Sequence, residues 1–190
     1  TPLPQAAGKS EGNTASGLIS LYRLLDNDQA TLSDLRAARS QVVMKRLPTD
    51  GDVLIVHDVS IFDFSRHNSK KDRRPVGDHR GKGYEYVPCI AVDPKTSNIL
   101  GVLHDTLINE EGPDDRDVMD YDYEPLFMAF SPEERKRLQK NHRHQMAVHI
   151  NGLAPLLKGS HAIHVADREF DDIYILGSCD RNDSDYVIRS

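Results

Sequence analysis

Two short runs constrain the fold most, because each is an apolar strand pattern that stops at a carboxylate. Asp52-Val53-Leu54-Ile55-Val56-His57-Asp58 carries four consecutive apolar residues, three of them β-branched, and then loses its pattern. That predicts a buried strand with Asp58 at its C-terminal end. His161-Ala162-Ile163-His164-Val165-Ala166-Asp167 repeats the design and ends at Asp167. If the two strands are neighbours in one sheet, their terminal carboxylates converge at one edge. Close carboxylates repel unless a divalent cation lies between them, so the pair predicts a metal site.

The rest of the chain is sufficient to build a sheet around these strands. Its 190 residues, 38% hydrophobic and 28% charged, predict a globular domain with a substantial core. No apolar run approaches the roughly 20 residues that span a bilayer, and no signal pattern opens the chain. The expectation is a soluble, cytoplasmic protein. Cys89 and Cys179 stand in different contexts and imply neither a disulfide framework nor a cysteine-based zinc site. A net charge of −6 argues against a protein that coats nucleic acid, although it permits a local basic face.

In chain order, residues 1–13 read as a mobile lead-in and residues 14–48 as a helical segment. Leu18, Leu21, Tyr22 and Leu25 mark the first helix; Leu32, Leu35, Val42 and Val43 mark the second, started by Thr31 and Asp34 and ended before Pro48. From residue 49 the strand to Asp58 follows. Arg66, Lys70, Lys71, Arg73, Arg74, Arg80 and Lys82, against Asp72 and Asp78, then predict a flexible basic loop leaving the Asp58 edge. In isolation such a loop is a solvated one; beside a metal ligand it becomes a candidate DNA-binding segment.

Tyr84 to Val92 and Ile99 to Ile108 predict an antiparallel hairpin, with Pro88 requiring a bulge or an edge position. Eight acids between Asn109 and Glu124 predict a solvated acidic loop, because glycine and the terminal glutamate miss the offsets of a calcium-binding loop. Ser131-Pro132-Glu133-Glu134 starts a helix that is expected to run to Leu153. His142, His144 and His149 lack the spacing that puts two imidazoles on one helical face, and they are expected at the surface. Phe170 to Leu176 predicts a short helix closed by Gly177, and Tyr186-Val187-Ile188-Arg189 a last strand.

This order of elements predicts an α/β chain with a ribonuclease-H-like mixed sheet flanked by helices, occupying residues 49–190, incomplete at the C-terminus and preceded by the small helical segment. The residues also resemble a family, the insertion-sequence transposases of the DDE class in the branch with a Tyr-Arg-Glu-Lys signature. His57-Asp58-Val59-Ser60 through Asp63-Phe64-Ser65 is similar to that family's first-acid motif. Arg80-Gly81-Lys82-Gly83-Tyr84 and Ile99-Leu100-Gly101-Val102-Leu103-His104 resemble its hairpin, and Val165-Ala166-Asp167-Arg168-Glu169-Phe170-Asp171-Asp172-Ile173-Tyr174 resembles its second-acid block.

The resemblance implies that Asp58 and Asp167 are catalytic and bind Mg²⁺ or Mn²⁺, two ions about 4 Å apart serving an in-line phosphodiester displacement. It implies DNA partners, both transposon ends and target, a homodimer in a synaptic complex, and a bacterial cytoplasmic location. Arg168 either contacts phosphate or pairs with a nearby acid. The family's third acid lies in its signature helix beyond the second acid, whereas no Tyr, Arg, Glu and Lys stand at helical spacing between Asp167 and Ser190. The expectation is therefore the amino-terminal part of such an enzyme, truncated or decayed, with weak metal binding and no efficient transposition. Glu169, Asp171 and Asp172 are the internal candidates should the third ligand lie within this chain. The alternatives are a non-catalytic DNA-binding or interaction module derived from a transposase, and a self-contained ribonuclease-H-like nuclease.

Overall fold

A computed structural model describes residues 14–77, 81–114, 131–157 and 159–189. The chain divides into two compact units, Thr1–Ala38 and Arg39–Ser190. In the first, α1 (Thr14–Leu25) precedes the opening of α2 (Leu32–Met44). Thr31 and Asp34 form the expected cap: the Asp34 N–H donates to Thr31 Oγ1 at 3.1 Å, and the Thr31 N–H donates back to Asp34 Oδ2 at 3.1 Å. Of the four residues expected to form the apolar stripe of α2, Val43 is buried while Leu32, Leu35 and Val42 are exposed.

In the second unit, β1 (Asp52–His57) is central. It pairs antiparallel with β4 (Gly81–Val92) and parallel with β6 (His161–Ala166), and β6 pairs parallel with β7 (Asp185–Ile188). On the other side of β4 lies β5 (Ile99–Ile108), the second arm of the expected hairpin. The resulting order, β5-β4-β1-β6-β7, is a mixed open sheet compatible with a ribonuclease-H-like α/β fold. Two short strands, β2 (Ser60–Asp63) and β3 (Arg74–Val76), also pair with β4 and bring the sheet to seven strands.

Alternation in β1 and β6 sorts the chemistry onto two faces. Val53, Ile55 and His57 are buried on one face, as are Ala162, His164 and Ala166, while Leu54, Val56, Ile163 and Val165 are half-buried on the other. Val53, Ile55 and Ala162 of the buried face pack with Cys89, Ala91, Leu103, Leu153 and Leu157 into one core cluster, while Ala166 belongs to a second. That second cluster joins Met146, Ala147 and Ile150 to Phe170, Ile175 and Cys179.

Pro88 occupies neither an edge nor the bulge itself. On one side β4 pairs with β1 through residues 89–92 and with β2 through residues 83–86, so Pro88 falls in the gap where Asp58 and Val59 connect those two strands. Its missing N–H is tolerated there because no partner strand asks for it. The bulge in the β4/β5 pairing starts one residue later, between Cys89 and Ile90. Gly83 is needed nearby: a Cβ on it would lie 1.8 Å from the Phe62 carbonyl oxygen.

Several expectations are corrected. The helix expected from Ser131 to Leu153 is two helices, α3 (Pro132–Gln139) and α4 (His142–Leu153). Ser131 caps the first with a complete capping box, and Asn141 restarts the second by accepting from the Arg143 N–H at 2.9 Å. Asn141 favours this local bond over helix continuation. The helix expected from Phe170 begins instead as a 3₁₀ turn (Arg168–Phe170), followed by α5 (Ile173–Arg181). Asp172 sets that later start by accepting from the Tyr174 N–H, and Gly177 lies inside the helix rather than closing it.

The basic segment is not a loose loop over its described part. Arg73 donates to the carbonyls of Phe64 and Ser65, Lys70 lies 4.9 Å from the Phe64 ring centroid, and β3 anchors the far end through buried Val76. The acidic stretch starts as a tight turn, with the Asn109 N–H donating to the Gly112 carbonyl; its described acids Glu110, Glu111 and Asp114 are exposed to solvent, as expected, while Gly112 and Pro113 are buried. Residues 115–130, which hold most of its acids, lie outside the described residues. None of the helices among the described residues is long and apolar enough to cross a membrane.

Candidate functional site

The two strand-end acids stand at matched positions. The β1/β6 register pairs Val56 with Val165, and Asp58 and Asp167 each follow by two residues on these parallel neighbours. Asp58 is exposed and Asp167 half-buried. Each uses one oxygen locally: Asp58 Oδ1 accepts from the Val59 N–H at 2.8 Å, and Asp167 Oδ1 accepts from the Glu169 N–H at 3.1 Å, capping the 3₁₀ turn. Among the described residues, Oδ2 of each carboxylate makes no hydrogen bond. The donor set suits a hard cation, since two carboxylates at adjoining strand ends offer oxygen and negative charge on rigid backbone.

Beside Asp167, Glu169 begins a polar cluster. His142 Nε2 lies 3.7 Å from Glu169 Oε2, and His142 Nδ1 lies 3.3 Å from Glu85 Oε2. Arg74 approaches the same Glu85 oxygen at 3.4 Å and donates to the Lys140 carbonyl at 2.7 Å. Burial pushes Glu85 up, but the hydrogen bond from His142 and the charge of Arg74 outweigh it and hold the carboxyl below its usual range. Of the other internal candidates for a third acid, Asp172 caps α5 through one oxygen, as Asp167 caps the 3₁₀ turn, and Asp171 is exposed.

The basic residues predicted to hold DNA divide into two groups. Lys70, Arg73 and Arg74 are half-buried and engaged with aromatic rings, backbone carbonyls or Glu85. Arg66, Lys71, Lys82 and Arg168 are exposed, with Arg168 directly after Asp167. Arg80 lies outside the described residues.

The sheet's buried face carries a second constellation that sequence reasoning missed. His57 on β1, Cys89 on β4 and His104 on β5 are successive register partners across three strands. Cys89 Sγ lies 3.4 Å from His57 Nδ1 and 3.1 Å from Nδ1 of His149, which reaches down from α4. The network continues outward at both ends. His57 Nε2 lies 2.9 Å from His164 Nδ1, and His149 Nε2 lies 2.7 Å from Thr106 Oγ1. His57, Cys89, His149, His164 and Thr106 are each no more than 2% exposed. Desolvation, together with the neighbouring His164, depresses His57 well below an ordinary histidine; desolvation lowers His164 to about 4.

His149 and His144 correct the expectation of surface histidines. Gln145 to Ile150 are all buried, so α4 has no solvated stripe in its middle turns and His149 is wholly enclosed. His144 is half-buried, and desolvation lowers it to about 4 against the opposing pull of Asp172. One signal could have exposed the row earlier: His57 is in phase with Val53 and Ile55, and His164 with Ala162 and Ala166, so both occupy core positions of their strands. His57, Cys89 and His149 bring one ligand atom each within 4.8 Å of one another. Compared with protein-family models and with curated proteins, the sequence matches none.

Proposed function

We propose that this chain carries part of a DDE-type transposase core, in which Asp58 and Asp167 hold divalent ions for DNA cleavage and joining. No third acid of the family's signature stands at helical spacing within residues 168–190, so metal binding is weak and transposition by this chain alone is inefficient. The observation that carries the reading is the matched position of these two acids, two residues beyond Val56↔Val165 on parallel neighbours, in a sheet of compatible strand order. Mg²⁺ or Mn²⁺, when bound there, supplies polarisation of the attacking oxygen and stabilisation of the leaving oxygen. The chain's own part is to hold the carboxylates on rigid strand ends, the local bonds to Val59 and Glu169 fixing one oxygen of each. Arg168 is exposed beside Asp167, where a guanidinium suits a substrate phosphate. Arg66, Lys71 and Lys82 are exposed cations available to the DNA backbone.

Thermal melting under a Mn²⁺ titration tests the reading. The wild-type chain is expected to gain stability with ion concentration, and Asp58→Asn and Asp167→Asn each to abolish the gain. A gain that survives either substitution overturns the proposal. Unchanged DNA retention by a chain that shows no gain would instead favour the non-catalytic DNA-binding module.

A further inference from the structure

We infer that His57, Cys89 and His149 form a buried site for one zinc ion, held behind the sheet edge that carries Asp58. The site does not rest on the acid-pair reading, and its donors differ in kind. Two imidazole nitrogens and a thiolate suit a borderline-soft cation such as Zn²⁺, whereas carboxylates suit Mg²⁺ or Mn²⁺.

The geometry comes close to what zinc requires. Zinc–sulfur and zinc–nitrogen bonds of about 2.3 and 2.0 Å at a tetrahedral angle separate the two donor atoms by about 3.5 Å. The Sγ–Nδ1 separations here are 3.4 Å to His57 and 3.1 Å to His149. A few tenths of an ångström of opening would admit the ion. The three ligands come from β1, β4 and α4, so the ion would tie the sheet to the helix above it.

The outer contacts carry the inference further. Coordination through Nδ1 leaves each imidazole with a proton on Nε2, and that proton needs an acceptor. Both acceptors are in place: Thr106 Oγ1 lies 2.7 Å from His149 Nε2, and His164 Nδ1 lies 2.9 Å from His57 Nε2. Binding replaces the Cys89 thiol proton, which is released to solvent, so charge and protons balance. His104, the next residue of the cross-strand row, packs edge-on against His149 with ring centroids 4.4 Å apart.

The test is zinc content and cobalt spectroscopy on the full chain. Protein purified without chelator is expected to carry about one equivalent of zinc. After metal removal, Co²⁺ should restore a thiolate-to-cobalt charge-transfer band together with the intense visible bands of a tetrahedral ion. Cys89→Ser should lose the charge-transfer band, Thr106→Val should weaken zinc affinity about tenfold or more, and Cys179→Ser should leave zinc bound. Asp58→Asn should also keep its zinc, which separates this site from the acid pair. A wild-type chain that takes up neither zinc nor cobalt overturns the inference without reliance on any variant, as does Cys89→Ser binding zinc with unchanged affinity.

Discussion

The strand-end acids and the buried histidine–cysteine row are neighbours in sequence and opposites in environment. Asp58 is exposed at the sheet's edge, while His57, one residue before it, is 2% exposed under α4. A carboxylate at a solvated edge keeps its charge at little cost and stays available to an incoming ion or substrate. An imidazole in the core must be neutral and fully partnered, because an unpaired buried polar group costs about 1–3 kcal/mol. The difference teaches that one strand can present chemistry on its edge only while its inward residues are satisfied by the rest of the fold.

Substitutions that treat the two regions alike should therefore give unlike results. The largest effect is expected from His149→Ala, which opens a cavity and strips partners from both Cys89 and Thr106: a loss of about 3 kcal/mol by denaturant unfolding. Asp58→Asn, without metal, should stay within about 0.5 kcal/mol of wild type in the same measurement. Equal losses would break the comparison.

Arg74→Ala is expected to cost about 1–2 kcal/mol, because its guanidinium holds both half-buried Glu85 and the Lys140 carbonyl. A loss of DNA retention at unchanged stability would instead assign Arg74 to binding.

The pH dependence sharpens the same contrast. His144 falls from 6.5 to about 4 in the folded chain, so the unfolded chain binds more protons between those values and stability must fall as pH is lowered through that window. With allowance for its partial exposure the contribution is about 2 kcal/mol. His144→Gln should flatten the melting-temperature slope between about pH 6.5 and 4 relative to wild type; an unchanged slope would place the titration elsewhere. The smallest effect belongs to the surface. Lys71→Ala should leave melting unchanged and reduce the salt dependence of DNA retention by about one charge.

Legibility in the sequence followed locality. Both strand ends, the β4/β5 hairpin, the caps at Thr31 and Ser131 and the final strand depend on residues a few positions apart, and their patterns carried them. The helix break at Asn141 escaped because the apolar positions on either side stay in step across it. The histidine–cysteine row escaped for a different reason: its donors are 32 and 60 residues apart and meet only through strand register and the docking of α4. The middle of α4, buried from Gln145 to Ile150, shows no polar face that would have marked His149 as internal. The acid pair was legible as two strand ends, and the matched position of those ends became visible only when β1 and β6 proved to be parallel neighbours in register.

The central claim is that Asp58 and Asp167 share an ion. Crystals soaked in Mn²⁺ and measured at the manganese edge test it most directly: the account predicts an anomalous peak within about 2.5 Å of an oxygen from each carboxylate. A manganese peak bound by one of the two acids alone, or by Glu85 and Glu169 without them, would contradict it.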